Sequence, residues 1–144
     1  MKIRPILPQE REQAISLIWS TFLEFEAPDY SDQGVKTFHD FIFDENIFKN
    51  IEFFGAFKNN DLRGVIASRN ERGHICCFFV LASCQRQGIG RRLWEYLKDV
   101  SVTPIITVNS SPFAVPVYHK LGFADTNIEQ LTDGMRYTPM SFVK

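Results

Sequence analysis

Residues 75–97, ICCFFVLASCQRQGIGRRLWEYL, hold the reading on which the fold turns. Ile75 to Ala82 is an uninterrupted apolar run of strand length, rich in aromatic and β-branched types, bounded by a polar turn. Because it is apolar at every position instead of alternating, it is expected to be buried on both faces and central in a sheet. After the turn, Ile89, Leu93, Tyr96, Leu97 and Val100 recur at helical spacing, which predicts a helix from Ile89 to Val100. Gly88 and Gly90 stand at its mouth, where unpaired amides and the positive end of the helix dipole suit a phosphate group.

Downstream, Pro104 opens a strand over 105–108. Strand, helix and strand in this order call for a parallel pair with a right-handed crossover. Ser111 and Pro112 suit the cap and first turn of another helix, carrying Ala114, Val117, Tyr118 and Leu121 and stopped by Gly122, with Pro116 able to shorten it. The tail, 135–143 with Leu131 and a Thr132-Asp133-Gly134 turn, is expected to supply one or two closing strands. Upstream, 51–57, 63–68 and 74–81 read as an antiparallel meander joined by Asn59-Asn60-Asp61 and by Asn70-Glu71-Arg72-Gly73. Before the meander, the spacing predicts an amphipathic helix over 9–25 with Ile18, Phe22 and Phe25 on its stripe. Ser31 caps a second helix presenting Val35, Phe38, Phe41 and Ile42. Residues 1–6 make a short first strand.

The chain has 144 residues, a length that suits one domain over 1–144. Its 44% hydrophobic content and 14 phenylalanines predict a core built largely of rings. Sixteen basic against seventeen acidic residues leave a net charge of −1, so no general attraction to nucleic acid or to an anionic membrane is expected. Any anion site must be local. Cys76, Cys77 and Cys84 make an odd count within or beside apolar sequence, which favours reduced, buried thiols over a disulfide framework or a metal site with His74. The opening MKIRPILPQE lacks the apolar segment of a secretory signal, and the reading is a cytoplasmic, soluble protein without a metal.

Two phosphate-binding patterns fail on GIGRRL. A dinucleotide fingerprint needs glycine where Leu93 stands, and a P-loop needs a Gly-Lys-Ser/Thr that the chain lacks. What remains, QRQGIG at 85–90, resembles the acyl-CoA loop Gln/Arg-x-x-Gly-x-Gly/Ala of the Gcn5-related N-acetyltransferases (GNAT), and it follows a hydrophobic strand as in that family. A second segment, AVPVYHKLGF at 114–123, resembles the family's Ala-x-x-x-Tyr-x-x-x-Gly-Phe helix-to-strand junction. The order of elements along nearly the whole chain agrees as well. The resemblance implies an α+β, GNAT-like acyl-CoA N-acyltransferase fold, a mixed sheet of about six to seven strands flanked by about four helices, and acetyl-CoA (coenzyme A) as the cofactor.

In such proteins the loop amides, here those of Gln85, Arg86, Gln87, Gly88, Ile89 and Gly90, hold the pyrophosphate. Glycine at 88 and 90 keeps side chains out of the way. Arg86, Arg91 and Arg92 are the candidate phosphate partners. The resemblance further implies that a backbone N–H at Val80 or Leu81 polarises the thioester carbonyl, and that the strand carrying it splays from the 105–108 strand. It assigns Tyr118 the protonation of the departing thiolate, a phenol of pKa about 10 donating to a thiolate of pKa about 8.5. Asn109 and Ser111 are candidates for the pantetheine arm. Ser111 departs from the asparagine common at that place. For the base, Glu24, Glu26, Asp29 and His74 are considered and Glu26 is preferred, while Tyr30, Phe22 and Phe25 are candidate walls of an acceptor pocket. The expected activity is acetyl transfer to a primary amine of a small molecule or to a protein amino group, with a homodimer compatible with family habit. The alternatives are a non-catalytic acyl-CoA sensor or interaction domain, and a mononucleotide-binding module.

Overall fold

A computed structural model describes all 144 residues. Strand pairing runs β1(Lys2–Pro5), β2(Glu52–Lys58), β3(Asp61–Arg69), β4(His74–Val80), β5(Ile105–Ser110), β8(Met135–Val143) and β6(Ala124–Asp125), with β7(Gln130–Thr132) forming a hairpin with β8. Every pairing is antiparallel except β4 with β5. That one parallel pair is joined through α4(Ile89–Val100), as the strand-helix-strand pattern requires. The sheet has eight strands, one more than the upper expectation, because the tail contributes two short strands besides β8.

The helices cover both faces. α1(Arg11–Phe25) and α2(Asp32–Ile42) bury Ile18, Phe22, Phe38 and Ile42 against Phe79 and Cys77, and Phe22 stacks on Phe38 with centroids 4.1 Å apart. Each such ring contributes about 2–3 kcal/mol on leaving water. α2 begins as its sequence predicts, the Ser31 hydroxyl accepting the Gly34 amide at 3.3 Å. A single turn, α3(Ile47–Asn50), follows it and has no counterpart in the sequence expectations. On the other face, α4 and α5(Val115–Leu121) pack Leu93, Trp94 and Leu97 against Ile106 and Phe123. Trp94, 1% exposed and packed at an angle against Phe123 and edge-to-face against Phe142, is a core residue that the predicted stripe omitted. Asn59 and Asn60, both with positive φ, close the two-residue β2–β3 turn that their types predicted.

Two expectations are corrected. β4 is central, but it is not buried on both faces: burial alternates along it, and Cys76, Phe78 and Val80 are only half-buried. The register explains this, since Ala67 pairs with Cys77 and Ser68 with Ile75, leaving Cys76 as the extra residue of a β-bulge. Pairing with β5 covers only His74 with Thr107 and Ile75 with Val108, and beyond the bulge the two strands diverge. The second correction concerns α5, which starts at Val115 and not at Ser111. Pro116 occupies its first turn, and residues 111–114 form a separate turn in which Ala114 N–H donates to the Ser111 carbonyl at 3.1 Å. Val117 is consequently 45% exposed instead of core. No helix is long and apolar enough to cross a membrane.

Candidate functional site

The gap between β4 and β5 opens beside the glycine loop. After β4 the chain makes a 3-10 turn at Ala82–Cys84, then Arg86 and Gly88 take left-handed φ values of 63° and 80°. A chain that returns twice to that region turns successive N–H groups inward, which forms an anion-binding concavity. The hydrogen-bond pattern leaves the amides of this loop free. The Cys84 and Gln85 amides donate to the Leu81 and Ala82 carbonyls, and the next donor is Arg92 N–H to Gly88 O at 3.1 Å. The six amides of Arg86, Gln87, Gly88, Ile89, Gly90 and Arg91 have no acceptor in the protein. Gln85, whose amide is engaged, falls outside the expected cradle.

The two glycines differ in what they do. A Cβ at Gly88 would meet nothing within 4 Å, so left-handed backbone and an open front, not crowding, account for glycine there. At Gly90 a Cβ would lie in ordinary contact with Phe78, 3.6 Å away, so that glycine admits a methyl without strain. Side chains then stitch the loop. Gln85 Nε2 donates to Val80 O at 3.2 Å and Gln87 Nε2 to Ser83 O at 3.3 Å, while Ile89 sinks into the core. Arg86 and Arg91 flank the cleft. Arg92 does not: its guanidinium donates to the Met1 carbonyl at 3.3 Å.

Directly above the loop lies a cleft of about 420 Å3, walled by Val80, Phe113, Val117 and Lys120. Lys120, on α5, is a third cation that the sequence motifs did not single out. Phe25 stacks on Phe113 at 5.3 Å, so α1 and the β5–α5 turn meet at the wall of this cleft. Leu81 N–H donates to Arg63 O at 3.0 Å, which corrects its candidacy for the thioester carbonyl. Successive amides of a strand point to opposite sides, so Val80 N–H points away from β3 into the gap left by β5.

A second cavity of about 290 Å3 adjoins the first. Glu26, Phe78, Phe79, Ala114 and Tyr118 line both, so they form the passage between them. Burial pushes the Glu26 carboxyl up to about 7, aided by nearby Asp29 and opposed by the Ser111 hydroxyl. Tyr118, 4% exposed, is raised well above the ordinary phenol value by burial and by the neighbouring Glu26 charge. Asn109 and Ser111 line the second cavity and not the cleft beside the loop, which sets them apart from the expected pantetheine contacts. Cys76 and Cys77 line it too, a placement that sequence gave no hint of because the bulge creates it. Burial raises the Cys76 thiol to about 11, so it is not a thiolate.

The other candidates for a base lie elsewhere. His74, held down to about 4 by burial, hydrogen-bonds Thr107 at 2.7 Å at the closed end of the β4–β5 pair, while Glu24 and Asp29 are exposed outside both cavities. Phe22 is wholly buried and lines neither. Tyr30 does wall the second cavity. Its hydroxyl donates to Arg136 O at 3.2 Å, and Thr37 Oγ1 donates to Asp133 O at 2.6 Å. These bonds latch α2 and the turn before it to the β7–β8 hairpin, where Gly34 and Gly134 pass backbone against backbone with no room for a Cβ on either.

Comparison with known proteins places this geometry. A family model described as an acetyltransferase (GNAT) domain matches residues 26–144. A search of curated proteins finds no match. Among solved structures, a Gcn5-related N-acetyltransferase from Rhodopseudomonas palustris superposes with a TM-score of 0.85 at 19% identity, covering 99% of this chain and 95% of that one. The PaiA N-acetyltransferase from Thermoplasma acidophilum, in complex with coenzyme A, gives 0.77 at 17% identity, covering 99% and 98%. An aminoglycoside 6'-N-acetyltransferase complexed with coenzyme A gives 0.67 at 16%, covering 99% and 97%.

Proposed function

The chain belongs to the GNAT acetyltransferase family, and from that premise we propose that it transfers an acetyl group from acetyl-CoA to a primary amine by direct attack. The observation that carries the reading is the alignment of three things along one passage: six unpaired amides at Arg86 to Arg91, a free Val80 N–H, and Tyr118 with Glu26 where two cavities meet. Coenzyme A complexes of two structures of the same fold agree with it.

The amides would hold the pyrophosphate, with Arg86, Arg91 and Lys120 available to phosphate oxygens. The unpaired edge of β4 would bind the pantetheine arm, and Val80 N–H would donate to the thioester carbonyl. An amine arriving as ammonium gives one proton to Glu26, whose affinity near 7 suits the task at neutral pH. The nitrogen lone pair then attacks the carbonyl carbon, a C–N bond forms, and the oxyanion leans on the Val80 amide. Collapse breaks the C–S bond. Tyr118 passes its proton to the leaving sulfur as the nitrogen gives up its second proton to the phenol oxygen, so that no phenolate forms where burial disfavours one. The products are N-acetylamine, coenzyme A thiol and one proton passed from Glu26 to water.

Thiol release tests the proposal. Protein, acetyl-CoA and a panel of amines in the presence of a thiol reagent should release coenzyme A only when an acceptor is added. A protein that binds acetyl-CoA but releases none above background with any amine would be a sensor instead.

A further inference from the structure

Charge accounting in the second cavity narrows the acceptor. It contains one carboxylate, Glu26, and no lysine, arginine or histidine. Eleven of its sixteen lining residues are hydrophobic. Its hydroxyls are largely committed to the protein itself: Thr37 to Asp133 O, Tyr30 to Arg136 O, and Ser110 to Ser111 O at 2.9 Å, while Ser111 accepts the Ala114 amide. The nearest arginine on the tail, Arg136, is held by both oxygens of Glu129 and by the Asp29 carbonyl. A ligand carboxylate entering this space would find no cation, and a second ammonium would find no anion; a charge left without a partner among largely apolar walls is disfavoured in either case.

From this we infer that the acceptor is a small monoamine, a single ammonium on an otherwise neutral, apolar aryl or alkyl body, with the nitrogen at Glu26 and the body among Phe38, Phe41, Phe78 and Met135. Size agrees, since about 290 Å3 holds roughly ten heavy atoms at the volume water takes in the liquid. A peptide chain would bring amides into a space whose Tyr30 and Thr37 hydroxyls already donate to the β7–β8 hairpin, and amides left without partners there are disfavoured.

The inference rests on the acetyltransferase reading, and matched probes separate the two. With coenzyme A saturating, calorimetry compares 2-phenylethylamine with phenylalanine, which adds only a carboxylate, and hexylamine with 1,6-diaminohexane, which adds only a second ammonium. A lysine-containing pentapeptide is the fifth probe. The same five are then assayed for kcat/KM with acetyl-CoA. Each monoamine should exceed its matched partner, and the peptide, by at least about a hundredfold in both readouts. Binding in that order without thiol release would leave the pocket assignment standing and overturn the enzyme. Turnover with phenylalanine, the diamine or the peptide equal to or above the monoamines would do the reverse. No binding of any amine would overturn the inference. Phe41→Asp adds a second anion to the wall and should bring the diamine within tenfold of hexylamine; a folded variant that still rejects it would refute the charge argument.

Discussion

The glycine loop and the amine cavity are built in opposite ways. The loop offers ligand contacts made by main chain, from one stretch of consecutive residues, and its form depends on local φ values at Arg86 and Gly88. The cavity is made by side chains from the α1–α2 connection, α2, β4, β5, α5 and β8, brought together over more than a hundred residues of sequence. A backbone site tolerates change in most side chains around it and fails when the backbone is blocked. A side-chain site can be altered one wall at a time.

Substitutions turn that contrast into measurements. The largest effect is expected at Gly88→Val, where a β-branched side chain strains the left-handed backbone that shapes the loop and stands where the proposed anion must approach. Losing two charge-assisted amide contacts weakens acetyl-CoA binding by roughly 3 kcal/mol, about a hundredfold or more in Kd by calorimetry, while circular dichroism stays native. Unchanged affinity in a folded variant would remove the loop from the site. Glu26→Gln comes next, with kcat/KM down about a hundredfold. Since the wild-type base works only when ionised, its kcat/KM should rise as pH passes about 7, and the variant should lose that inflection. A variant that keeps the inflection would place the base elsewhere.

Gly34→Ala tests whether the cavity wall depends on the latch. The methyl has no room against the Gly134 carbonyl, so the β7–β8 turn must shift, costing roughly 1–3 kcal/mol of stability in chemical denaturation. Tyr118→Phe should lower kcat about tenfold with cofactor affinity unchanged, a modest loss because a thiolate leaves readily without help. Equal turnover would return Tyr118 to the core. The smallest effect concerns folding. Glu26 holds its proton more tightly folded, near 7, than its ordinary 4.5, so its favourable contribution is complete below about 4.5 and lost as pH rises through 7. Glu26→Gln should therefore raise the thermal midpoint by about 2–4 °C near pH 8 and give no gain near pH 4.

Much of this could be read before any coordinates. The α4 boundaries, the Ser31 cap, the Asn59-Asn60 turn and the family resemblance all followed from short-range patterns. What escaped was consistently non-local. Trp94 lies off the predicted stripe and is buried only because Phe123 and Phe142 close on it from the tail. Lys120 reaches the cleft, and Val117 leaves the core, because Pro116 and the 111–114 turn displace the start of α5. Leu81 and Arg92 dropped out of the site for the same kind of reason, each having a partner distant in sequence, Arg63 for one and Met1 for the other.

By itself the sequence determined the meander, the α4 boundaries, that the loop after β4 carries glycine at 88 and 90, and that the phenylalanines supply a core, because these depend on dihedral preferences and periodicity within a few residues. Tertiary structure alone decided that Cys76 bulges, that β4 parts from β5 after Ile75, and that Glu26 becomes the one charge in an apolar cavity. Burial and electrostatic environment are sums over neighbours that meet only when the chain has folded, and no local pattern carries them.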